Sequence, residues 1–330
     1  MKRRTMIGGM AGGALAGLGG NVIAAGESIA QGKTQAGEIP MRTFGGTGVK
    51  LTVIGLASGR FHLTGSDEDA IALTRRAVEL GINYFDTAHT YWGGHSEEIY
   101  GRALPEFRKK VFLTTKSNKR DRKGAEADLE ESLRKMKTDY LDLWQVHEIM
   151  TLEEVEKVFA PGGAIEAFEA AKKAGKARFI GFTGHRDPEV HLEMLRRYDK
   201  WDTILMPLHI ADPLYLSFEK QVLPIAIERK MGIQGMKNFG NAKLLQTFSV
   251  RECLNYVLSL PIHCTTLGCT TTGQLEDDVR IAKSFKPFAE EQMAALRQRA
   301  TRIKGPLLED WKKNTDAKIA SLHRPDYVGG

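Results

Sequence analysis

The sequence predicts an α/β protein folded as a single (β/α)8 TIM barrel, with an N-terminal β-hairpin and a C-terminal helical extension. Three observations predict it. Short β-rich runs alternate with helical stretches, the pattern of repeated strand–helix units on a parallel sheet. Eight such units are counted between Val53 and Ser284. The 330 residues also suffice for one barrel of roughly 250 residues with extensions at both ends.

The elements follow in order. Residues 41–44 and 49–53 read as two strands around the glycine turn Gly45-Gly46-Thr47-Gly48. The first barrel strand is 53–57, and its helix starts near Asp67 and stops at Gly81. The second strand ends at Asp86, with a helix from Ser96 to Leu104; the third ends at Lys116, with a helix over 125–136 burying Leu129, Leu133 and Met136. The fourth ends at His147 and leads into an insert, 148–163, before a helix over 164–174. Strand five is 178–182, followed by Thr183-Gly184-His185 and a helix after Pro188; strands six and seven are 203–206 and 232–236. Strand eight is 264–268, with a helix from Gln274 to Ser284, and the tail from Phe288 adds one charged helix or two.

Hydrophobic residues make up 42% and charged residues 27%, ordinary for a soluble globular enzyme. The net charge is +6, of which the first 30 residues carry a net two. No long basic run with interleaved aromatics follows, which argues against nucleic acid as a partner. Met1-Lys2-Arg3-Arg4 leads into a glycine- and alanine-rich stretch with small residues near its end, the form of an export signal. The Arg3-Arg4 pair and the weakly apolar middle make it a twin-arginine signal. Eight glycines within residues 8–26 leave it too weakly apolar for a stable membrane anchor. The expected organisation is a signal segment over 1–30, a linker over 31–40 and the barrel over 41–330. The expected location is the bacterial periplasm, with the twin-arginine export machinery as a partner. Cys253, Cys264 and Cys269 lack C-x-x-C spacing and indicate neither a disulfide framework nor a zinc site.

Asp86, Tyr91, Lys116 and His147 fall at the ends of three successive strands. In a closed parallel barrel all carboxyl ends open on one face, where active sites are built. An acid, a phenol, an amine and an imidazole on one rim make a proton-transfer site. The runs Phe85-Asp86-Thr87-Ala88-His89-Thr90-Tyr91 and Ser96-Glu97-Glu98-Ile99-Tyr100-Gly101, then Lys116 and Gln145-Val146-His147, resemble the aldo-keto reductases in order and approximate spacing. The resemblance runs from about Met41 to about Phe285 and is looser after residue 200.

The resemblance implies an NAD(P)H-dependent oxidoreductase that reduces aldehydes or ketones to alcohols, or runs the reverse, and a hairpin plugging the barrel bottom. It makes Tyr91 the general acid/base. A free phenol titrates near 10, and the Lys116 ammonium would favour its phenolate. Asp86 would keep Lys116 charged and oriented, and His147 would hydrogen-bond the carbonyl oxygen. The family's Ser-Asn pair for the cofactor carboxamide is matched here by Thr183 and Gly184, its strand-six Gln by Leu205, and its stacking aromatic by Met236, followed by Lys237. Gly268, Thr270, Gln274, Asp277 and Asp278 match the loop for the adenine and ribose phosphate, where Asp277-Asp278 replace Glu-Asn, and Lys243 is expected at the 2′-phosphate. NADP(H) is favoured and NAD(H) is the alternative. Phe61, His62, Trp92, the 148–163 insert and Trp311 are expected around a small carbonyl or alcohol substrate.

Two other readings stand beside this one. Histidines 62, 89, 95, 147 and 185 near strand ends suit a metal-dependent hydrolase or isomerase. The missing carboxamide contacts suit a catalytically weak, nucleotide-binding or redox-sensing barrel.

Overall fold

The computed structural model describes residues 37–313. The expected signal segment over 1–30, most of the expected linker over 31–40 and the last residues of the tail lie outside them. The chain starts with an antiparallel hairpin of β1 (Met41–Thr43) and β2 (Lys50–Thr52). Then follow β3 (Ile54–Ala57), α1 (Asp67–Glu79), β4 (Tyr84–Asp86), α2 (His95–Ala103), β5 (Phe112–Ser117), α3 (Arg122–Met136), β6 (Leu141–Val146), α4 (Leu152–Phe159), α5 (Ala164–Lys173) and β7 (Ala177–Thr183). The second half holds α6 (Pro188–Arg197), β8 (Thr203–Pro207), α7 (Phe218–Gln221), α8 (Leu223–Glu228), β9 (Gly232–Met236), α9 (Val250–Ser259), β10 (Cys264–Leu267), α10 (Thr272–Lys283) and α11 (Glu290–Ala300). Strands β3 to β10 are parallel and close into a barrel in which β10 pairs with both β9 and β3.

Alternation along the strands sorts the side chains, because successive residues point to opposite faces. Outward residues such as Phe85, Leu113, Trp144 and Val146 join the large apolar cluster under the helices. Trp144 stacks on Phe168 of α5 with ring centroids 3.8 Å apart. A second, smaller cluster holds Tyr84, Phe112, Leu143 and Cys264 with Phe44 and Leu51 of the hairpin. The hairpin therefore closes the amino-terminal end of the barrel, as expected. Gly45 sits there at φ +51, and a Cβ on it would lie 2.4 Å from the Met231 carbonyl carbon, so only glycine lets the hairpin approach β9 this closely.

Polarity rises from that end. Phe112, Thr114 and Lys116 alternate along β5; Leu143 and Gln145 alternate along β6, with His147 next in the series. Gln145 bonds Thr114, and the Tyr84 hydroxyl donates to Gln234 at 2.6 Å. The same period of two that makes the bottom apolar delivers Asp86, Lys116 and His147 to the top.

Several expectations need correction. The stretch 148–163 is no plain insert, for it contains α4, capped by the Thr151 side chain and anchored by buried Val155 and Val158. Helices α7, α8 and α9 were not resolved from the sequence, although Ser249 and Glu252 form a reciprocal capping box at the start of α9. Helix α10 starts at Thr272, because the Thr271 side chain accepts the Gln274 N–H and acts as its cap. The described tail holds one helix, α11, and then turns as far as Lys313. Among the described residues no helix is long and apolar enough to cross a membrane.

Candidate active site

The segment after β4 carries Tyr91 to the barrel rim. Thr87 N–H donates to Thr114 O and His89 N–H to Lys116 O, both at 3.0 Å, so the chain keeps running beside β5 after β4 has ended. It then turns at Tyr91, whose N–H donates to Ala88 O. Left-handed Trp92, Gly93 and Gly94 reverse it into α2.

Lys116 is 1% exposed. Its ammonium donates to Asp86 Oδ1 and to Thr87 O, both at 2.6 Å, and reaches the Tyr91 hydroxyl at 3.5 Å. The three donors of the ammonium are thus spent on a carboxylate, a carbonyl and the phenol. Burial pulls the lysine down from its ordinary range and pushes the Asp86 carboxyl up, while their pairing opposes both shifts. The Tyr91 ring lies edge-on to His147 with centroids 5.5 Å apart. Burial, then the Lys116 and Arg120 charges, hold His147 well below the usual imidazole range, so it is neutral at pH 7. The Thr90 hydroxyl lies 3.4 Å from His147 Nδ1; donating there, it leaves the ring proton on Nε2. The structure brings together all four residues that the sequence singled out.

A cavity of about 700 Å³ opens from this cluster and extends past the ends of β7, β8 and β9 to the start of α10. Of the positions matched to the cofactor, Thr183, Gly184, Met236, Lys237, Gly268, Thr270, Gln274, Asp277 and Asp278 line it. Leu205 lines it too. A Cβ on Gly184 would sit 2.5 Å from Ile149 O and 2.8 Å from His191, so no side chain fits that position as the backbone stands. Burial and the Arg60 charge lower Lys237 to about 8, and burial raises Asp278 to about 7.

Other expected residues lie elsewhere. Lys243 does not line the cavity; it bonds Asp310 at 2.8 Å and Leu307 O at 2.9 Å in the tail. Phe61 is fully buried against Tyr100, and Trp92 packs on His95 and is 40% exposed. His62 is exposed, Trp311 is buried against His209, and neither borders the cavity. Of the 148–163 stretch only Glu148 does. The sequence reading missed Arg60, Arg251 and Arg280 in the wall. They sit after β3, at the start of α9 and on α10, and no local motif marks them.

The histidines named for a metal site do not converge. His89 faces Glu97, Asp128 and Glu131, whereas His95 bonds Asp67 and Glu98 at 2.8 Å. Among the described residues the one group with metal-ligand spacing is His209, Asp212 and Glu309. The Lys312 ammonium already fills it, 2.7 Å from Asp212 and paired with Glu309. This buried cluster pins the tail to the loop after β8, with Lys312 also donating to Tyr215 O at 2.7 Å.

Comparison with known proteins places this architecture. The model of the Aldo/keto reductase family matches residues 54–246, more than half of the chain, and the chain belongs to that family. An aldo-keto reductase of Bacillus subtilis is 33% identical over 205 residues, 56% of this chain and 57% of the relative. L-galactose dehydrogenase of Arabidopsis thaliana is 32% identical over 165 residues, covering 44% of this chain and 49% of that protein. The chain spans about half the length of the curated relatives it matches. An aldo-keto reductase from Bacillus halodurans in its holo form superimposes with a TM-score of 0.68 at 21% identity, covering 82% of this chain and 99% of that one. An aldo-keto reductase from Klebsiella pneumoniae in complex with NADPH gives 0.64 at 20%, over 77% and 93%. At such identities the structural likeness speaks for the barrel.

Proposed function

We propose that this chain is an NAD(P)H-dependent oxidoreductase that reduces aldehydes or ketones to alcohols, or catalyses the reverse, with Tyr91 as general acid/base. One observation carries the reading: the Tyr91 hydroxyl faces a buried ammonium that is itself held by Asp86. A cation beside a phenol favours its ionised form and makes it a stronger acid. Tyr91 would give its proton to the carbonyl oxygen during reduction and recover it through the Lys116 contact. Neutral His147 would donate from Nε2 to the same oxygen and fix its position.

No side chain supplies hydride, so a nicotinamide cofactor supplies it when bound. The residues present fit that group at its phosphate end. Lys237, Arg60, Arg251 and Arg280 bring positive charge to the cavity wall, and α10 begins beside that wall, where Thr270 and Gln274 line the cavity and a helix N-terminus favours an anion. At the carboxamide end Leu205 and Gly184 offer no amide, which leaves Thr183 as the side chain there. The three arginines in the wall favour NADP(H) over NAD(H), since Lys243 is turned to the tail instead.

The test is spectrophotometric. NADPH oxidation with a panel of aldehydes and ketones is the expected result, with tighter binding of NADPH than of NADH in a fluorescence titration. NADPH affinity should fall from pH 7 to 9, because Lys237 loses its charge near 8 and Asp278 gains one near 7, both unfavourable to a polyanion. Nucleotide binding without turnover of any carbonyl or alcohol would leave the redox-sensing reading in possession.

The twin-arginine start adds a proposal on location: export to the periplasm after folding around the cofactor. Protein recovered from a periplasmic fraction should then carry nucleotide without any being added. Recovery solely from cytoplasm, or free of nucleotide, would refute it.

A further inference from the structure

His89 lies two residues before Tyr91 in the loop that brings the phenol to the rim, and the proton-transfer roles above leave it unused. Its ring does not border the cavity; it meets α2 and α3 instead. Nδ1 lies 3.6 Å from Glu97 Oε2, and Nε2 lies 3.4 Å from Asp128 Oδ1 and 3.7 Å from Glu131 Oε2. These are separations of charge pairs rather than hydrogen bonds, so their strength depends on how far water is excluded. Glu97 is fully buried and Asp128 is 5% exposed. Strand alternation fixes both carboxylates. Lys116 points into the barrel, while Thr115 and Ser117 on either side of it point outward. Their hydroxyls donate to Glu97 Oε1 and Asp128 Oδ2, each at 2.6 Å. The second oxygen of Glu97 is buried without a hydrogen bond. Such a group calls for a counter-charge. Among the described residues, the one cationic side chain in ion-pair reach of it is His89.

The other neighbours do not oppose a charge on that ring. The Ser132 hydroxyl lies 3.5 Å from Nδ1, and Lys135, on the same helix, is occupied with Glu131 at 2.9 Å. Glu97 above all raises His89 from the ordinary imidazole range; burial opposes this, and Asp128 and Glu131 assist. The same Glu97 charge acts on Lys116, on the other face of β5, and favours its ammonium form. The loop is tied inward as well, since the His89 N–H donates to Lys116 O at 3.0 Å. We propose that Glu97, His89 and Asp128 position the Tyr91–Lys116 couple from behind. The imidazolium fastens the loop carrying Tyr91 to α2 and α3, and the Glu97 carboxylate adds to the field that keeps Lys116 charged. None of the three touches the reacting atoms, so they are positioning residues, and their role rests on the reductase reading.

The test follows pH. A fastening that needs charged His89 is complete below its raised range and fades as pH rises through it, so kcat should step down there. His89→Gln should lower kcat on the acid side of that step by about ten- to a hundredfold, the scale for a misplaced reacting group. It should erase the step and leave the NADPH dissociation constant unchanged. Glu97→Gln should move the step to lower pH, because the largest support for the imidazole proton is gone. A native profile without the step, or native kcat in both variants, overturns the proposal. So does a joint fall of kcat and NADPH binding with the step unmoved, which is what loosened packing alone would give. A second measurement needs no turnover and separates this inference from the reductase reading. In protein isotope-labelled at the tyrosine rings, the Tyr91 NMR signal, assigned with Tyr91→Phe, should shift with the same midpoint as the His89 imidazole signal. His89→Gln should remove that inflection. If no carbonyl turns over, the reductase reading fails, and the spectra still decide: a shared midpoint upholds the coupling behind Tyr91, and a Tyr91 signal indifferent to His89 overturns it.

Discussion

Tyr91→Phe is expected to lower kcat for carbonyl reduction by about 10²- to 10⁴-fold, the range for losing a general acid. The substitution removes one oxygen and little else. The ring keeps its edge contact with His147 and its place 4.8 Å below the Lys116 ammonium, so the walls of the site stay where they are. Lys116 loses one of three acceptors and retains Asp86 and Thr87 O. Stability should therefore change little, and the NADPH dissociation constant should match that of the native protein. Steady-state rates and a fluorescence titration on the same preparation give both readouts. A variant retaining a tenth of native activity would mean that another group delivers the proton. His147 would be the first to test, since its ring adjoins the same phenol.

How much of this was legible beforehand depended on whether the signal was local. The strands announce themselves because β-branched and aromatic residues cluster in short runs, and the period of two carries Asp86, Lys116 and His147 to one rim. Helices α7 and α8 escaped because they are four and six residues long, too short for a helical period to emerge. Helix α9 escaped despite its capping box, because Cys253 to Leu258 are buried at consecutive positions, which blurs the helical alternation of apolar and polar faces. Aromatic residues misled most. Phe61 and Trp311 are the residue types that line pockets, yet both pack inward, and sequence cannot separate a lining ring from a core ring. Arg60, Arg251 and Arg280 reach one wall from three distant segments, a convergence that exists only after the barrel closes. Lys243 shows the converse. Its position near the loop suggested the phosphate, but Asp310, 67 residues later, claims it.

The Asp86–Lys116 pair yields the largest effect on the fold itself. Asp86→Asn leaves the ammonium of Lys116, 1% exposed, without its counter-charge, and removing one partner of a buried pair costs about 3–5 kcal/mol. Denaturant unfolding at pH 7 would measure that loss. Its pH dependence should identify the cause. Burial already draws Lys116 downward, and without Asp86 only the weaker pull of the Glu97 charge offsets it, so the folded protein would hold the amine neutral while the unfolded chain still binds a proton. The unfolded state then carries more protons, and stability must rise with pH up to the ordinary lysine range. Asp86→Asn combined with Lys116→Met removes both charges and should recover most of the lost stability, because an apolar replacement needs no desolvation of an ion. It should not recover activity, since the cation beside Tyr91 is gone. Recovery of stability without activity would show that the barrel tolerates this buried pair for its chemistry rather than for its contribution to folding. A double variant as unstable as the single one would instead make the pair part of the scaffold.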